Sequence, residues 1–92
     1  MDEGPRKVTI RFRPVGSTKP LKNTVVNVPA GQLFRSLVNY LKRQLGADAP
    51  ALFCYVNAAF APPLDAQLGA LWDAYAVDDV LNISYCNTVA FG

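Results

Sequence analysis

The chain has 92 residues, 51% of them hydrophobic and 17% charged, with a formal net charge of +2. That length holds one compact domain with a modest core, and the balance of apolar and charged residues excludes an intrinsically disordered chain. No apolar run approaches the ~20 residues that cross a bilayer, and Met1-Asp2-Glu3-Gly4-Pro5-Arg6 lacks the apolar segment of a signal peptide, so the chain reads as intracellular.

After a short flexible N-terminal tail over residues 1–6, Lys7 to Arg13 alternates without a break. Val8, Ile10 and Phe12 share one face of a strand and the charged residues take the other. Pro14 to Pro20 is turn chemistry, and Leu21 to Val28 is expected to be the hairpin partner, closed by Pro29. From Gln32 the period changes. Leu33, Phe34, Leu37, Val38, Leu41 and Leu45 recur at three- and four-residue steps, which predicts a long helix with one buried stripe. Gly46 stops that helix, and Lys42-Arg43 sit favourably at the negative end of its dipole.

Leu52 to Val56 reads as a third strand ended by Asn57, followed by an irregular loop at Phe60-Ala61-Pro62-Pro63. A second, shorter helix is expected with Asp65 as its cap and Leu64, Leu68, Leu71, Trp72 and Tyr75 as its apolar positions; Gly69 weakens it by up to ~1 kcal/mol. Asp78-Asp79 makes a turn, and Val80 to Cys86 is the final strand, with Leu81, Ile83 and Tyr85 on one face. The order strand, strand, long helix, strand, short helix, strand is that of an α+β protein of the β-grasp, or ubiquitin-like, fold. It has a mixed four-stranded sheet whose first and last strands lie side by side and parallel. The domain then runs over residues 7–86, with a C-terminal tail over 87–92. One sheet and one long helix leave little volume for the ~300–1,000 Å³ pocket of a small substrate.

There is no histidine, which removes the usual general base near neutral pH, and catalysis by this chain is not expected. Cys54 and Cys86 lie in apolar segments without metal-ligand spacing, so they read as buried hydrophobes, and no metal or cofactor is expected. All nine basic residues precede residue 47, whereas five of the seven acids follow it. This asymmetry fits either a solvated face or a docking patch; without interleaved aromatics it does not favour nucleic acid. Gly92, at the end of a six-residue tail that reaches about 20 Å when extended, has no side chain to obstruct entry into a narrow enzyme cleft.

Several spaced elements match one known family in order. They are Tyr55-Val56-Asn57-Ala58-Ala59-Phe60-Ala61-Pro62, Asp65, Gly69-Ala70-Leu71-Trp72, Asp79-x-Leu81, Tyr85-Cys86 and Ala90-Phe91-Gly92, joined by Pro14-Val15-Gly16 and Leu41-Lys42-Arg43-x-Leu45. Over about Lys7 to Gly92 the chain resembles the ubiquitin-like modifiers of autophagy called the autophagy-related protein twelve family. The resemblance implies a conjugation substrate rather than an enzyme. Its terminal glycine, here Gly92, would be adenylated by the activating enzyme, autophagy-related protein seven, which consumes the ATP. It would then be carried as a thioester to the conjugating enzyme, autophagy-related protein ten, and linked to a lysine of autophagy-related protein five. The conjugate, with autophagy-related protein sixteen, would have a ligase-like stimulating activity, promoting attachment of a second ubiquitin-like protein to phosphatidylethanolamine by recruiting the lipidating enzyme, autophagy-related protein three. It would work in the cytoplasm and reach the phagophore assembly site membrane only through its complex.

The resemblance also assigns partner-binding positions to Tyr55, Phe60 and Lys7, and Asn57 is a further candidate for partner binding. Each has a structural alternative: packing for Tyr55 and Phe60, a local turn for Asn57. Trp72 reads as core, and Val25 and Val26 depart from the basic and aromatic residues of vertebrate members. Two other readings stand beside this one. A non-covalent ubiquitin-like adaptor would not need Gly92, and a β-grasp sulfur carrier usually ends in Gly-Gly, which Phe91 interrupts.

Overall fold

In the computed structural model, which describes residues 6–16, 18, 20–46 and 52–86, the elements follow the expected order. They are β1 (Lys7–Pro14), β2 (Val25–Pro29), α1 (Phe34–Leu45), β3 (Phe53–Val56), α2 (Leu68–Tyr75) and β4 (Leu81–Cys86). The four strands form one mixed sheet in the order β2-β1-β4-β3. β1 pairs antiparallel with β2 (Ile10 opposite Val26) and parallel with β4 (Ile10 opposite Leu81, Pro14 opposite Tyr85), and β4 pairs antiparallel with β3 (Tyr85 opposite Cys54).

The alternation in β1 works as its spacing implies: Val8, Ile10 and Phe12 are buried and Lys7, Arg11 and Arg13 exposed. On α1, Phe34, Leu37, Leu41 and Leu45 are buried in the same cluster as Leu81, Ile83 and Tyr85. Burying each such side chain contributes roughly 1.5–3 kcal/mol before chain entropy is counted. Gly46 ends α1 at φ +61°, a backbone angle that side chains disfavour, and its N–H returns to the Lys42 carbonyl.

β3 and β4 each begin one residue later than expected, and other details also differ. β2 begins at Val25 because Leu21 is drawn into the core, where its N–H donates to the Tyr85 hydroxyl at 3.0 Å, while Thr24 meets β1 through its carbonyl (Phe12 N–H, 2.7 Å). α1 begins two residues late because Leu33 pairs across an isolated bridge with Gln67. Asp65 does not cap α2; the cap position is Gln67 and makes no side-chain hydrogen bond. Leu64 and Tyr75, read as core, are 52% and 41% exposed.

Neither helix start has a side-chain cap, yet the first backbone N–H groups must find acceptors. They find them on each other's lead-in segments. Phe34 and Arg35 N–H donate to the Ala66 and Leu64 carbonyls (2.7 and 2.9 Å), and Leu68 and Gly69 N–H donate to the Gln32 and Ala30 carbonyls (both 2.8 Å). This crossing brings Gly69 so close to Ala30 that a Cβ on Gly69 would lie 2.8 Å from the Ala30 Cβ. Gly69 is therefore a requirement of the crossing and not merely a weak point of the helix. Replacing Gly69 with Ala should lower stability by about 1–3 kcal/mol by overpacking, despite alanine's better helix propensity; denaturant unfolding of the two chains measures the sign.

Candidate functional site

The sequence singled out Tyr55, Asn57, Phe60, Lys7 and Gly92. Gly92 lies outside the described residues, and the other four do not form one cluster. Tyr55 sits on edge strand β3, half-buried, opposite Ser84 and on the face away from Cys54 and Val56. Asn57 and Phe60 belong to the tight return that follows β3. Asn57 and Ala58 take positive φ (52° and 58°), Ala59 N–H donates to the Val56 carbonyl (2.9 Å), and Val56 N–H donates to the Phe60 carbonyl (2.8 Å). Asn tolerates such angles better than most residues. Lys7 is exposed at the start of β1, opposite Pro29 of β2, on the far side of the sheet from β3.

What joins Asn57 to Phe60 is a residue that helical spacing assigned to the core. Tyr75, the last residue of α2, accepts a hydrogen bond on its backbone carbonyl from the Asn57 side-chain amide (3.2 Å). Its ring lies 5.0 Å from the Phe60 ring at a 59° tilt, a favourable aromatic geometry. α2 has only eight residues, and its last turn runs past the core edge, so Tyr75 keeps the helical period but loses the burial. The sequence signal that could have exposed it is the shortness of the segment between Gln67 and the Asp78-Asp79 turn.

Trp72 packs half-buried against the core rather than within it. Its ring N–H donates to the Asp79 carbonyl (3.3 Å), and the Arg6 guanidinium lies over its face at 5.6 Å while pairing with Asp73 at 2.7 Å. Both partners of that ion pair are well exposed, so it is worth no more than about 1 kcal/mol. A groove of about 340 Å³ between β2 and α1, lined by Val26, Val28, Ser36, Tyr40 and Arg43 among others, is larger than so small a fold was expected to offer. Among the described residues no group of three or more His, Cys, Asp or Glu side chains could hold a metal ion, and no helix is long and apolar enough to cross a membrane.

Both cysteines are buried and free. Burial, and then the nearby Cys86, push the Cys54 thiol from its ordinary 9.0 to about 12, with the Lys42 ammonium acting in the opposite sense.

A four-stranded mixed sheet with parallel central strands and a long helix packed on it defines a ubiquitin-like protein. The crystal structure of Trypanosoma brucei ATG8 has the same fold, with a TM-score of 0.78 at 24% identity, covering 94% of this chain and 77% of that one. The sequence profile described as "Ubiquitin-like autophagy protein Apg12" matches residues 7–92. "Ubiquitin-like protein ATG12" of Neosartorya fischeri is 46% identical over 87 residues, which is 94% of this chain and 50% of that protein. The Schizosaccharomyces pombe protein of the same name is 42% identical over 88 residues, 95% of this chain and 67% of that one. The chain belongs to the Apg12 family of ubiquitin-like autophagy proteins. It spans about half the length of the first of these relatives.

The raised Cys54 pKa gives a signed pH effect. Below pH 9.0 the folded and unfolded chains both keep the thiol proton; between there and about 12 the unfolded chain loses it first, so folding stability falls as pH rises. Denaturation midpoints at about pH 8 and about pH 11 should drop further in the unaltered chain than in Cys54→Ala. Near pH 8 the folded thiol should resist iodoacetamide until denaturant is added.

Proposed function

We propose that this chain is a modifier joined through the Gly92 carboxylate to a lysine of autophagy-related protein five. Autophagy-related protein seven activates it with ATP and autophagy-related protein ten transfers it; the chain itself needs no cofactor. The conjugate associates with autophagy-related protein sixteen at the phagophore assembly site membrane. There it stimulates lipidation of a second ubiquitin-like protein by recruiting autophagy-related protein three. Tyr55, Asn57, Phe60 and Lys7 serve partner contacts.

One observation carries this reading. β4 leaves the sheet at Cys86, beside Phe53 at the start of β3, whereas Asn57 follows the other end of β3, its N–H on the Asn82 carbonyl. Four residues of strand, about 13 Å, separate that contact from the exit of the tail. A modifier tethered through residues beyond Cys86 therefore keeps the Asn57–Phe60 surface free for a second partner. The family profile runs to residue 92, which supports a function for the Phe91-Gly92 end.

Incubation with ATP, the activating and conjugating enzymes and autophagy-related protein five should give a shifted band resistant to reducing agent. Deleting Gly92 should abolish that band while leaving the thermal midpoint unchanged; a normal conjugate from the shortened chain would refute the assignment. Phe60→Ala should leave conjugation intact and lower lipidation several-fold, in line with the weight that aromatic residues carry at interfaces.

A further inference from the structure

The surface around Tyr75 combines three features. The first is apolar: Phe60 and Tyr75, 36% and 41% exposed, meet in a tilted ring contact at the end of α2, and Val77, two residues on, is 56% exposed. The second is directional. The Asn57 amide commits one N–H to the Tyr75 carbonyl, and its oxygen remains an acceptor on this exposed return. The third is charge. Every acidic residue among the described ones, Asp65, Asp73, Asp78 and Asp79, falls within residues 65–79, and only Asp73 has a salt bridge, to Arg6.

The backbone that carries the two exposed aspartates three and four residues after Tyr75 is fixed. Asp78 and Asp79 both have positive φ (54° and 64°), as the centre of a type I′ turn requires, between the bridge-paired Val77 and Val80. The Trp72 ring N–H anchors this turn to α2 through the Asp79 carbonyl. Arg6, over Trp72, is the cation that reaches α2, and Asp73 neutralises it; Lys7, Arg11 and Arg13 lie on β1, and Arg35, Lys42 and Arg43 on α1.

We propose that the Phe60–Tyr75 pair, rimmed by Asp78 and Asp79, docks a segment of a partner protein that carries a large apolar side chain flanked by lysine or arginine. The proposal rests on the reading of Asn57 and Phe60 as a partner surface and adds Tyr75 to it as the residue that holds both in place. Charge complementarity selects this occupant. An acidic segment meets like charge, and an anionic lipid surface does the same; a second copy of this chain would have to bring its β1 or α1 cations, but the apolar residues of β1 and the apolar stripe of α1 are buried in its own core.

The test is an NMR titration of the isotope-labelled 92-residue chain with two short synthetic peptides. They share a central Leu-Trp pair, flanked by Lys and Arg in one and by Glu in the other. The basic peptide should shift resonances at 57–60 and 73–79 and leave β1 unmoved. Tyr75→Ala and Phe60→Ala should each weaken it about tenfold, as truncation of an aromatic anchor does. Tyr75→Phe should bind as the unaltered chain does, since its carbonyl and ring remain. Asp78→Asn with Asp79→Asn should weaken binding several-fold and flatten its salt dependence.

Equal binding of the glutamate peptide, shifts centred on β1 or β2, concentration-dependent self-association through this patch, or no shift at millimolar peptide would each overturn the proposal. Conjugation is scored on the same variants. Normal conjugates with no peptide binding would sink this inference alone, whereas failure of the unaltered chain to conjugate would sink the modifier assignment and leave the peptide result standing.

Discussion

Everything in this molecule is arranged around the parallel pairing of β1 with β4. Those two strands are far apart in sequence, and bringing them together closes the chain on itself. Their inward residues Ile10, Phe12, Leu81, Ile83 and Tyr85 make the floor on which α1 lies. Because parallel neighbours need a crossover, all of β2, α1, β3 and α2 must be accommodated between them. β2 then falls on one edge, beside β1, and β3 on the other, beside β4. The Tyr85 hydroxyl extends the same pairing outward by accepting the Leu21 N–H, tying the β1–β2 connection to the last strand. A buried hydrogen bond of this kind contributes about 1 kcal/mol, and its larger effect is to set where β2 begins.

The second constraint is the reciprocal capping of the two helices. Each start lacks a side-chain acceptor, and each lead-in segment supplies carbonyls to the other. This couples α1 to α2 through backbone alone, which no pattern of side chains announces. It also gives Gly69 a role opposite to the one that helix propensity assigns it, since the close approach to Ala30 leaves no room for a side chain. The position of α2 follows from this contact, and with it the position of Tyr75 at the helix end.

Separation of surfaces is the functional consequence. The chain leaves β4 at one end of the sheet, while Asn57, Phe60 and Tyr75 gather past the other end of β3. Charge follows a similar division, with cations on β1 and α1 and acids around α2 and the turn after it. A ubiquitin-like protein of the autophagy family built in this way carries chemically different faces on one sheet-and-helix frame.

Much of this was legible from residue order. Alternation over Val8 to Phe12 and the stripe from Phe34 to Leu45 specify a strand and a helix because their periods match the two geometries and nothing interrupts them. The spaced motif from Tyr55 to Pro62 and the Phe91-Gly92 ending pointed to the family that the profile match then established. Lys7, by contrast, was grouped with Tyr55, Asn57 and Phe60, yet it lies across the sheet, because sequence spacing carries no information about strand order.

By itself, then, the sequence determined which segments are strands and helices, which side chains face inward along the regular elements, and which family the chain resembles. Those properties follow from local period and from residue identity. Only the tertiary structure decided that Leu21 leaves its strand for the core, that Asp65 caps nothing, that Gly69 is required, and that Tyr75 faces solvent against Phe60. Each of these depends on a partner distant in sequence, a hydroxyl, a carbonyl or a ring, whose position is set only when the sheet closes.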